Sequence, residues 1–171
     1  MIATIDHLEL KTHSSGTLVL GVGNPILTDD GVGVRVAGMV AAALAGRAVE
    51  RVDVASACAG GLALMEALLG YRRAILVDAL VWPGEPPGAL HRLTLDDLRS
   101  ARPTEHSTSS HDTSLIAALE LGRQIGLPLP GEVVVYAVAV ENVVDFGDEP
   151  TPAVAAAIPQ AAASVLAELR I

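Results

Sequence analysis

The sequence predicts a three-layer α/β/α fold built on a mostly parallel, twisted sheet of about five strands, with one antiparallel edge strand. Three observations point there. Several short runs are β-branched or Leu-rich and show little strict alternation of apolar and polar residues, as expected of strands covered on both faces. Between them lie stretches with apolar residues at helical spacing, so strand and helix alternate as in a parallel, doubly covered sheet. The 171 residues are 51% hydrophobic but only 2% aromatic, so the core must be aliphatic. A chain of this length buries roughly 70% of its extended surface on folding, enough for a core without disulfides or structural metals.

Taken in order, Thr17–Val22 is the first covered strand, followed by a helical pattern through Val34, Ala37, Ala41 and Leu44. Val52–Ala55 is the second strand, followed by a helix through Leu62, Met65 and Leu69; Ala74–Val77 is the third. After the turn-rich segment Trp82–Gly88, Ala89–Leu93 alternates more clearly and reads as the antiparallel edge strand. A helix through Leu115, Leu119 and Ile125 leads to the strand Val133–Val140, and the last helix runs through Val154, Ile158, Val165 and Leu169. Pro159 lies inside that last pattern, where its missing N–H and ring clash predict a kink or a division into two pieces. Residues 1–16 are expected to form a partly ordered N-terminal extension and 17–171 a single α/β domain.

Composition excludes several functions. One Trp, one Phe and two Tyr offer no stacking platform for single strands, and a net charge of −9 opposes phosphate backbones, so no nucleic-acid partner is expected. The lone cysteine, Cys58, rules out a disulfide framework and a Cys-rich zinc site. Mean hydropathy is high, at +0.47. Even so, no apolar run approaches the ~20 residues of a spanning helix, and residues 1–16 lack the apolar core of a signal peptide. No membrane partner and a cytoplasmic location are therefore expected.

Ligands of open α/β sheets collect at the carboxyl ends of the strands, so the loops there hold the candidate site. The first, from Gly21 to Val36, reads G-V-G-N-P-I-L-T-D-D-G-V-G-V-R-V. A dinucleotide fingerprint would need a third glycine where Ile26 stands, and Pro25 stiffens the loop beside it. Asp29 and Asp30 open the following helix and would cap it, although one Asp suffices and two are present. The second loop follows Ala74–Val77 and begins with Asp78, a carboxylate at a buried strand tip that needs a backbone donor or a salt bridge to Arg72 or Arg73. The third is the Ser-rich stretch ending Ser109-Ser110-His111 before a helix. A histidine there is commonly just solvated, but near a helix N-terminus the ring stays neutral with a free lone pair, the state that binds metal.

Brought to one crevice, Asp30, Asp78 and His111 give two carboxylates and one imidazole with positions left open, the pattern of a catalytic or metal-recognising site. His106 is the rival ligand. His7 and His13 in the extension and His91 on the edge strand are weaker candidates.

The Gly-x-Gly-Asn and Asp-Asp-Gly-x-Gly elements of the first loop resemble the first motif of the hydrogenase maturation proteases, the peptidases that trim the large subunit of nickel-iron hydrogenases. Ala59-Gly60 before a Leu-rich helix, Val77-Asp78-Ala79, Ser-Ser-His before a Leu-bearing helix and Pro150-Thr151-Pro152 follow in family order, so the resemblance spans roughly Thr17 to Leu169. Glu141–Glu149 matches the family's late loop only loosely, and the His106–Ser110 stretch looks like an insertion.

The resemblance implies a metal-dependent endopeptidase, with aspartic-type endopeptidase activity, that removes a short C-terminal extension from a nickel-loaded hydrogenase large-subunit precursor. The family's metal-contacting, catalytic positions fall on Asp30, Asp78 and His111, with the nickel carried by the substrate. Backbone amides near Gly60 and Gly61 would help hold the peptide or an oxyanion. No general base is identified, and Cys58 reads as a buried or loop-lining thiol, since no paired histidine pattern surrounds it. Two alternatives remain at this point: a non-catalytic metal-binding assembly factor for a hydrogenase precursor, and another metal-dependent hydrolase using Asp29 and Asp30.

Overall fold

A mixed sheet of six strands carries the molecule: β1 (Ala3–Thr4), β2 (Thr17–Val22), β3 (Val52–Ala57), β4 (Arg73–Leu80), β5 (Leu90–Thr94) and β6 (Glu132–Ala139). The computed structural model describes residues 3–4, 16–47, 51–100 and 112–170, and only the backbone of 3–4 and 112–114. The strand order is β1-β3-β2-β4-β6-β5, parallel throughout except for β5, which pairs antiparallel with β6 at one edge. The fold expected from the sequence is thus observed. The additional strand is β1, two residues of the N-terminal extension that pair with Ala55 and Ser56 of β3.

Among the described residues five helices cover the two faces: α1 (Val32–Leu44), α2 (Gly61–Ala67), α3 (Leu95–Ser100), α4 (Asp112–Gln124) and α5 (Pro152–Glu168). Alternate residues of each central strand point to opposite faces, so the aliphatic core divides in two. Leu18, Leu20, Leu76 and Val135 pack with Leu64, Leu68, Leu115 and Leu119 of the α2–α4 side. Val19, Ile75, Val77 and Val134 pack with Val32, Val36, Val40, Val154 and Val165 of α1 and α5. Of the four aromatic residues only Tyr136 is buried. Each fully buried Leu or Val contributes about 1.5–3 kcal/mol, so this core is sufficient without aromatic side chains.

Two local expectations are corrected. Helix α5 runs unbroken through Pro159, because both Pro159 and Ala155, whose carbonyl loses its intrahelical donor, lie on the solvent face. Helix α3 was not anticipated. Its start is a capping box: the Asp97 carboxylate accepts from the Thr94 backbone N–H at 2.8 Å, while Thr94 Oγ1 accepts from the Asp97 N–H at 3.2 Å.

The seating of α1 positions the candidate site. A Cβ on Gly33 would lie 2.2 Å from the Val77 carbonyl oxygen and 2.3 Å from that of Val22, and one on Gly21 would lie 2.2 Å from the Gly33 carbonyl oxygen. Only glycines let the first turn of the helix rest directly on the ends of β2 and β4. Gly33→Ala should therefore cost about 3 kcal/mol, read as a lowered urea midpoint with unchanged slope.

At the opposite end of the sheet Glu168 ties α5 to three strands. It accepts from Arg73, from Arg92 Nε at 2.8 Å and from the Tyr136 hydroxyl at 2.9 Å. Hydrogen bonding from Arg92, helped by Tyr136 and Arg73 against the opposing effect of burial, holds its carboxyl down to about 2. A depressed carboxylate stabilises the fold above its unfolded value near 4.5 and loses that contribution as pH falls toward 2. Because Arg92 is 46% exposed, solvent screening limits the contribution to on the order of 1–2 kcal/mol. Chemical denaturation of wild type and Glu168→Gln should diverge at pH 6 and converge toward pH 2.

Candidate functional site

The direction in which successive connections cross the sheet reverses at β2. The connection through α1 leads to β3 on one side of β2, and the chain then returns to β4 on the other, making the gap between the carboxyl ends of β2 and β4 the topological switch point where open α/β sheets bind ligands. Asp78 lies there. It sits within β4, not at the strand tip as expected: the ladder to β6 continues to Leu80, whereas the ladder to β2 stops at Val77. Asp78 thus lies just past the last β2 pair, and it is buried, with Oδ1 accepting from the Ala79 N–H at 2.8 Å. Arg73, one salt-bridge partner considered for it, is instead engaged with Glu132 and Glu168 at the far end of β4.

Asp30 is held at the mouth of the same gap. Its Oδ2 accepts from the Asn24 N–H at 2.6 Å, closing the loop on itself. This fold-back depends on Gly23, which has φ +131° and would carry a Cβ 1.9 Å from the Asp30 carbonyl oxygen. Through Gly33, the turn that follows Asp30 rests on Val77, the residue before Asp78. The two carboxylate-bearing segments predicted from sequence are thus brought to one place.

Neither aspartate caps α1, contrary to expectation. The N-cap is Gly31, with no side-chain cap. Asp29 turns the other way and is completely buried. Its carboxylate accepts from the Thr151 N–H at 2.7 Å, the Thr151 hydroxyl at 3.1 Å and the Asn142 N–H at 3.2 Å. Thr151 is the N-cap of α5 but makes no side-chain cap; its hydroxyl donates to Asp29. Further bonds run from Thr28 N–H to the Asp145 carbonyl (3.0 Å), from Asp29 N–H to the Asn142 carbonyl (3.0 Å) and from Gly147 N–H to the Ile26 carbonyl (3.1 Å). Arg35 of α1 donates to the Asp148 carbonyl. These bonds join the loops after β2 and β6 into one unit, a connection between residues 122 positions apart that no local pattern signals.

His111 and its rival His106 lie outside the described residues, as do His7 and His13. His111 immediately precedes α4, which packs beside α2. Among the described residues no three His, Cys, Asp or Glu side chains are placed to hold a metal ion. His91 lies on the edge strand as expected, 3.2 Å from Glu85 and stacked near Trp82 at 4.7 Å between ring centroids. Cys58 is exposed in the β3–α2 loop, and Gly60 and Gly61 open α2 beside it.

The fold and this crevice define an open α/β protein with acidic residues at its switch point. A family model described as HycI, hydrogenase maturation protease, matches residues 34–168, and the chain belongs to that family. The match includes Asp78 and His111 but begins after Asp30. Among solved structures, the chain is similar to the hydrogenase maturating endopeptidase HybD from E. coli, at 28% identity and TM-score 0.74, covering 91% of this chain and 92% of that one. It is also similar to a hydrogenase 2 maturation peptidase from a Thaumarchaeota archaeon, at 29% identity and TM-score 0.63, covering 90% and 97%. A [NiFe] hydrogenase maturation protease from Thermococcus kodakarensis shares the fold at 19% identity and TM-score 0.69, covering 90% and 99%. No curated protein sequence matches. The chain is a maturation endopeptidase by family, and no helix among its described residues is long and apolar enough to cross a membrane.

Asp29 holds the two loops together, so Asp29→Ala, which strands three buried or half-buried donors, should lower stability by about 3 kcal/mol in urea denaturation. Asp30→Ala, which removes a single acceptor at a half-buried position, should cost about 1 kcal/mol in the same measurement.

Proposed function

We propose that the chain removes a short C-terminal extension from the nickel-loaded large-subunit precursor of a nickel-iron hydrogenase, acting in the cytoplasm and recognising the nickel that the substrate carries. The observation that carries this reading is the convergence of the Asp30 and Asp78 segments at the switch point of a hydrogenase maturation protease fold. Two carboxylates and the imidazole of His111 would contact the substrate's metal. Carboxylate and neutral imidazole together form a donor set suited to a divalent transition metal, and more to nickel or zinc than to magnesium.

Contact with the metal would place the scissile peptide at a fixed distance from these residues, replacing a bimolecular encounter with a positioned one. Asp30, Asp78 and His111 would hold the substrate's metal, which would supply Lewis-acid polarisation of the peptide or of a water. The short bond from Asn24 N–H and the seating of α1 on Val77 hold the Asp30 segment in place before substrate arrives, so little reorganisation is required on binding.

Incubation with nickel-loaded and nickel-free precursor, followed by intact mass, tests the reading. Loss of a C-terminal peptide from the loaded form alone is expected; binding without cleavage would instead make the chain an assembly factor. His111→Ala should reduce cleavage by at least about 100-fold with an unchanged melting curve, and retained activity would remove His111 from the site.

A further inference from the structure

The two joined loops present an apolar surface that the core does not use. Ile26, Val144 and Phe146 are 55%, 75% and 81% exposed. All three lie within two residues of the backbone bridge between Leu27 and Phe146. A cluster of large apolar side chains beside a functional crevice marks an interaction surface, whereas scattered ones would not. This ledge is also firmly built: Thr28, Asp29 and Gly147 bond across it, and the Asn142 side chain accepts from the Asp145 N–H at 3.1 Å and donates to its carboxylate at 3.1 Å. Glu141, Asp145, Asp148 and Glu149 stand exposed around it, and the sequence has no Lys or Arg between Arg123 and Arg170. Arg35, bonded to the Asp148 carbonyl, offsets only part of that charge.

We propose that this ledge docks the precursor polypeptide, gripping a segment in which apolar side chains adjoin Lys or Arg. The inference rests on the reading of the chain as a precursor-processing protease, because the ledge shares its loop with Asp30. A second copy of the chain fits poorly, since a molecule of net charge −9 would bring like charge to an acidic rim. A basic, apolar segment is complementary on both counts. The apolar side chains supply affinity once water is excluded, and the carboxylates speed encounter and reject acidic segments.

The test compares wild type with Val144→Ser/Phe146→Ser and with Asp148→Lys/Glu149→Lys, using the nickel-loaded large-subunit precursor from the same organism. Both cleavage kinetics and the dissociation constant are measured, with melting curves confirming that these surface variants fold. The apolar variant should raise KM and Kd about tenfold with kcat within about twofold. Charge reversal should weaken binding at 50 mM salt and flatten the salt dependence that wild type shows. If both variants bind and cleave like wild type, the ledge is not a docking surface, while the protease reading stands. If wild type binds but does not cleave, the protease reading falls, and the Kd values decide the ledge: tenfold weaker binding by the apolar variant supports it and equal binding overturns it. If wild type neither binds nor cleaves, both fall.

Discussion

The arrangement depends on a contact between backbones. Helix α1 approaches β2 and β4 so closely at Gly21 and Gly33 that a single methyl group would overlap carbonyl oxygens of both strands. Close packing at this point fixes where α1 begins, and therefore where the loop ahead of it must pass. Without that approach, Asp30 would be carried away from β4 and the switch-point gap would contain Asp78 alone. The interaction is steric and not chemically specific, yet it decides which carboxylate-bearing segments come together.

Adjacent aspartates then take opposite tasks. Asp29 points inward and collects three donors from the loop after β6 and the start of α5. Asp30 points toward the mouth of the gap and bonds only within its own loop among the contacts described for it. A buried carboxylate with several donors is well satisfied and hard to recruit for chemistry. A partly exposed one with a single backbone donor keeps lone pairs for a ligand. One residue thus secures the frame in which its neighbour is presented, which explains the need for two acidic residues in a place where neither caps the helix.

The strands and helices were legible because their signals are local: β-branched runs at β2 and β6, helical spacing in α1 and α5, and turn residues ahead of β5. Asp30 and Asp78 stand out in the sequence because topology directs attention to the loops after parallel strands. What could not be read were partners distant in sequence. Nothing near Asp29 signals Thr151, and nothing near Phe146 signals that its loop is bonded to Ile26. Helix α3 differs, since its Thr94-x-x-Asp97 box was present in the sequence, but a six-residue helix has too few turns to show a periodicity. Pro159 was misjudged because the disruption it causes depends on whether the freed carbonyl is buried, a property of the face and not of the residue.

The net charge of −9 also takes on meaning only from its placement. Part of the acidic surplus is consumed internally: Asp29 is satisfied by three donors, Glu168 by two arginines and a tyrosine, and Asp97 by a capping box. Of the carboxylates around Phe146, Asp145 accepts from the Asn142 side chain, and all four face solvent beside exposed apolar side chains. Clustered like charge on a short loop costs self-repulsion, which a fold tolerates most readily where a cationic partner relieves it. The same end of the sheet therefore presents negative charge in two places: the Asp30 and Asp78 segments at the gap, and the carboxylates on the rim, at the range of steering. A polypeptide that carries both a metal ion and basic residues would be drawn by the second and held by the first.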